Sequence, residues 1–147
     1  MAYKSRYKPI NKNKYIGNLD NIICRSSWER KVCKYLDLNK NIIRWGSEEV
    51  IIPYYSPIDR KHHKYFPDFI IEKQGVDSEI ETIVIEVKPF KQTLKPKIKK
   101  KKSKSYIREC VAFEINSAKW KYAREYCKKN GWKFLVITEK DIFSSYK

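Results

Sequence analysis

A glutamate sits inside the most aliphatic run of the chain, Ile83-Val84-Ile85-Glu86-Val87-Lys88, and that single charge limits what the segment can become. Read as a strand over 82–88, its side chains alternate, so Ile83, Ile85 and Val87 face one way while Val84, Glu86 and Lys88 face the other. Glu86 follows three aliphatics and precedes a fourth, so a solvated surface strand is not its natural setting. A carboxylate in a mostly buried strand needs a partner. Lys88 shares its face, about 6.6 Å along the strand at about 3.3 Å per residue. Two further pieces, Phe66-Pro67-Asp68-Phe69 and Ser26-Ser27-Trp28-Glu29, carry carboxylates that one sheet and its first helix can gather around a metal. A divalent ion with oxygen ligands from Asp68, Glu86 and the Val87 carbonyl, with Glu29 as a further candidate, answers the charge problem.

Each of these residues also has a plainer use. Glu29 follows Ser26 by three, the capping-box spacing at a helix start. Asp68 suits a turn after proline, and Glu86 with Lys88 could be an exposed ion pair worth less than about 1 kcal/mol. The aliphatic neighbours of Glu86 favour a site over a surface pair.

The chain has 147 residues, enough for one core and too few for two. Its 33 Lys and Arg against 17 Asp and Glu give a formal charge of +16, which points to a polyanionic partner, nucleic acid before membrane. The aliphatic run 83–85 is far too short to span a bilayer and no signal-peptide core is visible, so a soluble intracellular protein is expected. Cys24, Cys33, Cys110 and Cys127 form no Cys-x-x-Cys pair, which disfavours structural zinc; reduced, partly buried thiols are expected. His62 and His63 read as surface residues. No Ser-His-Asp arrangement or Gly-rich phosphate loop is evident, so covalent hydrolysis and a nucleotide cofactor are disfavoured.

Residues 1–20 are rich in Lys, Tyr and Asn and read as an extended basic arm outside a single domain at 21–147. A helix is expected over 26–38. An apolar stretch at 50–52 is stopped by Pro53 and followed by a polar turn over 56–64. Strands follow at 65–71 and 82–88, joined by a hairpin linker containing Gly75 and Asp77. A helix capped by Asn116 or Ser117 runs to Lys129 and ends at Asn130-Gly131, before a buried strand at 133–138. Between the 82–88 strand and that helix, 91–104 holds eight lysines and no acid: Lys91, Lys95, Lys97, Lys99, Lys100, Lys101, Lys102 and Lys104. Placed there, the tract can grip phosphates without reading sequence.

Pro67-Asp68 followed by Glu86-Val87-Lys88 resembles the signature of the PD-(D/E)xK nucleases, and Glu29 matches the acidic position that many members carry on an upstream helix. The arrangement is similar to the catalytic domain of TnsA endonucleases. Cys24-Arg25-Ser26-Ser27-Trp28-Glu29-Arg30, Trp45-Gly46-Ser47-Glu48-Glu49, Ser56-Pro57-Ile58-Asp59 and Tyr65-Phe66-Pro67-Asp68-Phe69 resemble the head-completion nucleases of T-even-type tailed phages. With Ala118-Lys119-Trp120 and Ile137-Thr138-Glu139, the resemblance covers nearly the whole chain.

It implies an α/β fold with a restriction-endonuclease-like core, a mixed β-sheet flanked by helices. It implies a DNA endonuclease of low sequence specificity that uses Mg²⁺, with Mn²⁺ substituting, and cuts phage DNA at head completion after packaging. Portal or neck proteins would be partners and the host cytoplasm or virion neck the setting. Asp68 and Glu86 would hold the ion. Glu29 would either complete the ligand set or fix a water, and Lys88 would orient the nucleophilic water or stabilise transition-state charge. The rival reading is a non-catalytic basic head-completion or neck protein that binds the DNA end and portal region on a retained nuclease scaffold. A third is a resolvase-like or repair nuclease selecting branched DNA.

Overall fold

A computed structural model describes residues 4–144, leaving 1–3 and 145–147 outside. The chain runs β1 (Ser5–Arg6), β2 (Ile23–Cys24), α1 (Ser27–Leu38), β3 (Ile42–Ser47), β4 (Ile52–Tyr55), β5 (His62–Tyr65), β6 (Phe69–Gln74), β7 (Ile80–Val87), α2 (Lys104–Lys129), β8 (Lys133–Ile137) and α3 (Glu139–Ser144). The main sheet has the order β3-β6-β7-β8. β3, β6 and β7 pair antiparallel, and β7 pairs parallel with β8. Parallel neighbours need a crossover, and α2 provides it. This is the expected mixed sheet flanked by helices.

The alternation expected for β7 divides the molecule into two layers. Ile83 and Ile85 pack with Phe69 and Ile71 of β6, Val32, Cys33 and Leu36 of α1, and Ile142 of α3. On the other side, Phe134 and Val136 of β8 join Trp120 and Ala123 of α2 and the β4–β5 hairpin residues Ile52, Tyr54 and Tyr65. Val136 pairs with Glu86 across the sheet, which places Glu86 on the α2 side.

Several expectations change. Residues 5–21 are not a free arm: β1 pairs with β2, and Tyr7 and Tyr15 are buried with their rings against Trp45. The buried Asp37 carboxylate, near the end of α1, collects the Tyr7 hydroxyl at 2.8 Å and the N–H groups of Ile10 at 2.7 Å and Asn11 at 3.0 Å. Lys14 adds its ammonium, which donates to the carbonyls of Leu36 and Asp37 at 3.0 Å and of Asn39 at 2.8 Å, so aromatic, amide and lysine groups together fix where the stretch lies.

Pro53 does not stop its strand, because β4 and β5 form an isolated two-stranded ribbon with open edges, where a missing N–H is tolerated. The turn is correspondingly shorter than 56–64. The 65–71 segment breaks at Phe66-Pro67-Asp68, ending β5 and starting β6.

α2 begins far upstream of Asn116. Ser103 caps it by accepting the Tyr106 N–H at 3.1 Å, so Lys104, the last lysine of the tract, forms its first turn. Its apolar residues form no single stripe, which hides this start from a periodicity reading. β3, finally, has no counterpart among the expected elements, although its Trp45 is fully buried.

Among the described residues no helix is long and apolar enough to cross a membrane. All four cysteines are free thiols, as expected, and Cys24 and Cys33 place their Sγ atoms 3.5 Å apart in the core.

Candidate active site

Three element ends deliver the carboxylates. Asp68 leads into β6, and its Oδ2 accepts the Val87 N–H at 2.7 Å, fastening it to the end of β7. An extended residue sends its N–H and C=O to the same side, so the Val87 carbonyl also leaves toward Asp68. Glu86 is only 7% exposed. Its Oε1 accepts the Tyr65 hydroxyl at 2.8 Å, and its Oε2 lies 3.5 Å from Lys88 Nζ. Glu86 and Lys88 therefore share a face, as alternation requires, and the lysine retains contact with solvent.

Glu29 occupies the first turn of α1. The Ser26 hydroxyl accepts the Glu29 N–H at 3.1 Å, half of a capping box. The returning bond is displaced by one residue, since Glu29 Oε2 accepts the Arg25 N–H at 2.5 Å. Glu29 thus does cap its helix, while its charge also reaches Asp68. Nearby, Arg25 Nε lies 3.1 Å from Glu48 Oε1. Glu48 takes a left-handed backbone, φ 56°, uncommon outside glycine, and donates its N–H to the Asp68 carbonyl at 3.0 Å. A cleft of about 400 Å³ opens between Arg25, Glu29, Lys88 and Gln92.

The electrostatics are those of crowded negative charge out of water. Burial, then the charges of Glu86 and Glu29, pushes the Asp68 carboxyl up to about 9. Burial also raises Glu86, opposed by the Tyr65 hydrogen bond and by Lys88 and Lys119. The Tyr65 phenol is pushed up by burial and by Glu86, so it stays a donor. Lys119, from α2, is lowered by burial and by Lys88, with Glu86 and Asp68 acting against both.

The expected gathering of three carboxylates is corrected in one respect. Among the described residues no group of three or more His, Cys, Asp or Glu side chains is placed to hold a metal ion. Each carboxylate instead meets a protein donor: Val87 N–H for Asp68, Tyr65 and Lys88 for Glu86, Arg25 N–H for Glu29. Glu86 is buried and Asp68 partly buried, and the charges of both Glu86 and Glu29 act on Asp68, whose carboxyl also meets that of Glu29.

Tyr65 and Lys119 are the site residues that sequence reasoning missed. Tyr65 stands three residues before Asp68, where an extended motif could have suggested it. No spacing signal announces Lys119. The tract lysines Lys91, Lys95, Lys97, Lys99, Lys100, Lys101, Lys102 and Lys104 are all exposed on the segment that leaves β7 just after Lys88. That segment is tied down where Glu139 Oε1 accepts the Phe90 N–H at 2.7 Å.

Residues 39–139 match the family model described as "TnsA-like endonuclease N terminal". The chain is also 36% identical over 143 residues to the head completion nuclease of Enterobacteria phage T4, an alignment covering 95% of this chain and 93% of that protein.

Proposed function

This chain belongs to the TnsA-like endonuclease family, and from that premise we propose that it is a Mg²⁺-dependent DNA endonuclease of low sequence specificity, acting on phage DNA at head completion after packaging. The carrying observation is the buried Glu86 and the partly buried Asp68 set beside Lys88 at the end of β7. Two carboxylates, one buried and one partly so, with Asp68 driven toward its neutral form, make a donor set that a hard divalent cation fits. Asp68, Glu86 and the Val87 carbonyl would hold it, with Glu29 adding a ligand or fixing a water. When bound, such an ion supplies Lewis-acid charge and makes water a better nucleophile.

The chain's own groups do the remaining work. Tyr65 holds one Glu86 oxygen, so that carboxylate keeps its orientation. Lys88, restrained by the other oxygen yet reaching solvent, can orient the attacking water or meet charge developing on the phosphate. The exposed tract lysines meet backbone phosphates on any sequence. The charge of +16 supports DNA as the partner. The proposed setting is the host cytoplasm during assembly or the virion neck, with portal or neck proteins as further partners.

The test is cleavage of linear, nicked and branched DNA, with Mg²⁺ and Mn²⁺ supporting it and EDTA stopping it. Failure to cut any of these in either metal would leave the non-catalytic neck reading. In the same assay, neutralising Lys99, Lys100, Lys101, Lys102 and Lys104 should weaken binding about equally across unrelated sequences. The slope of log K against log salt should fall by about 0.9 for each backbone phosphate that the variant no longer neutralises. Turnover at saturating DNA should change little. Unchanged affinity and slope would remove the tract from the DNA interface.

Glu29→Gln separates capping from chemistry. Glutamine can still accept the Arg25 N–H, so thermal stability should stay within about 0.5 kcal/mol of wild type. As a poorer partner for a hard cation it should lose most activity. Full activity in the folded variant would make Glu29 a cap alone.

A further inference from the structure

Lys119 belongs neither to the strand motif nor to the lysine tract, yet α2 carries it to the carboxylates. Its Nζ lies 5.8 Å from the centre of the Tyr54 ring and 5.5 Å from that of Tyr65, whose hydroxyl is bonded to Glu86. Lys88 is drawn to Glu86, whereas Lys119 makes no ion pair with any carboxylate among the described residues. A half-buried ammonium has lost part of its hydration, and aromatic faces return only a share of that loss. It is therefore a cation held ready beside the site and still open to an anion.

Formal charge points to the same anion. With a divalent ion bound in place of the Asp68 proton, Asp68, Glu86 and Glu29 contribute three negative charges, and the ion, Lys88 and Lys119 contribute four positive ones. The loaded site is then one positive, and a phosphodiester, with one negative charge, completes it. Without Lys119 the loaded site would already be neutral and would have no electrostatic preference for the DNA backbone.

We propose that Lys119 is a DNA-contacting residue of the active site, its ammonium engaging a non-bridging oxygen of a backbone phosphate seated against the wall formed by Tyr54 and Tyr65. This rests on the nuclease reading. The contact lies on the α2 side of Glu86, so the bound strand passes between that wall and the basic segment after β7.

The test uses the full-length protein with Lys119→Met, which keeps an apolar stem over both rings but no charge, and Lys119→Arg, which keeps the charge. Duplexes carrying one uncharged methylphosphonate at successive positions around the cut are bound with Ca²⁺ in place of Mg²⁺. At one position the modification should weaken wild-type binding roughly tenfold or more, as expected for a charge-assisted hydrogen bond. The same modification should cost Lys119→Met nothing further. On unmodified DNA Lys119→Met should raise KM by a similar factor and lower the salt slope by about 0.9, with Lys119→Arg recovering most of both. Its thermal midpoint should stay near wild type, and Lys119→Gln serves for the same scan if the methionine variant does not fold. Equal methylphosphonate penalties in wild type and variant at every position would overturn the proposal. A wild-type protein that cuts no DNA would instead overturn the nuclease reading, and the binding scan would still decide the contact.

Discussion

Asp68→Ala and Glu86→Ala are each expected to abolish metal-dependent cleavage, by on the order of a thousandfold or more, while the domain stays folded. Each substitution deletes a carboxylate of the candidate site and leaves the apolar layers intact. Some stability goes too. Asp68→Ala leaves the Val87 N–H without its acceptor, and Glu86→Ala leaves the buried Tyr65 hydroxyl unpaired, each costing about 1–3 kcal/mol. Circular dichroism and thermal melting separate that cost from the loss of chemistry. A folded variant with normal turnover would remove its residue from the site. Lys88→Ala should also lose turnover, but stabilisation by added Mg²⁺ should persist, because its side chain is no ligand.

Asp68→Asn is expected to stabilise the metal-free protein while removing its activity. A free aspartate titrates near 3.9, and in the fold burial and the charges of Glu86 and Glu29 push Asp68 up to about 9. The folded protein therefore keeps a proton that the unfolded chain gives up. For this group stability is fully present below about pH 4 and is lost as pH rises toward 9. Asparagine has no charge to bury, and its amide oxygen can still accept the Val87 N–H. The variant should match wild type near pH 4 and exceed it by about 1–3 kcal/mol by pH 8, read from urea midpoints. Saturating Mg²⁺ should then raise wild type and leave the variant unmoved. A difference independent of pH would show that Asp68 carries its charge without penalty.

How much of this site can be read from sequence follows from what is local in it. The alternation through β7 puts Glu86 and Lys88 on one face wherever the strand lies, and Ser26 caps α1 through an atom three residues away. Both expectations survive because neither depends on distant packing. Tyr65 reaches Glu86 only once the hairpin has folded over the sheet. Lys119 arrives only once α2, returning from β7 to β8, settles with one particular side toward the hairpin. The start of α2 is hidden because residues 104–115 show no apolar stripe, and Asn116 and Ser117 mimic a cap in mid-helix. Residues 4–20 mislead for a related reason: their lysines suggest solvent, while the stretch is held by the buried carboxylate of Asp37, inconspicuous within the pattern of α1, and by Lys14 on the last carbonyls of that helix.

The place of β8 bears on how the protein is made. β7 is an interior strand because residues 133–137, made only after α2, return to lie beside it. Until they emerge, β7 offers one open edge along Ile83-Val84-Ile85, a template for pairing with other chains. α2 also lacks the support of Phe134 and Val136, against which its apolar residues pack. Closing that long connection is a late and slow event. A nascent polypeptide thus carries Glu29, Asp68 and Glu86 before the edge of the strand that holds Glu86 has been closed.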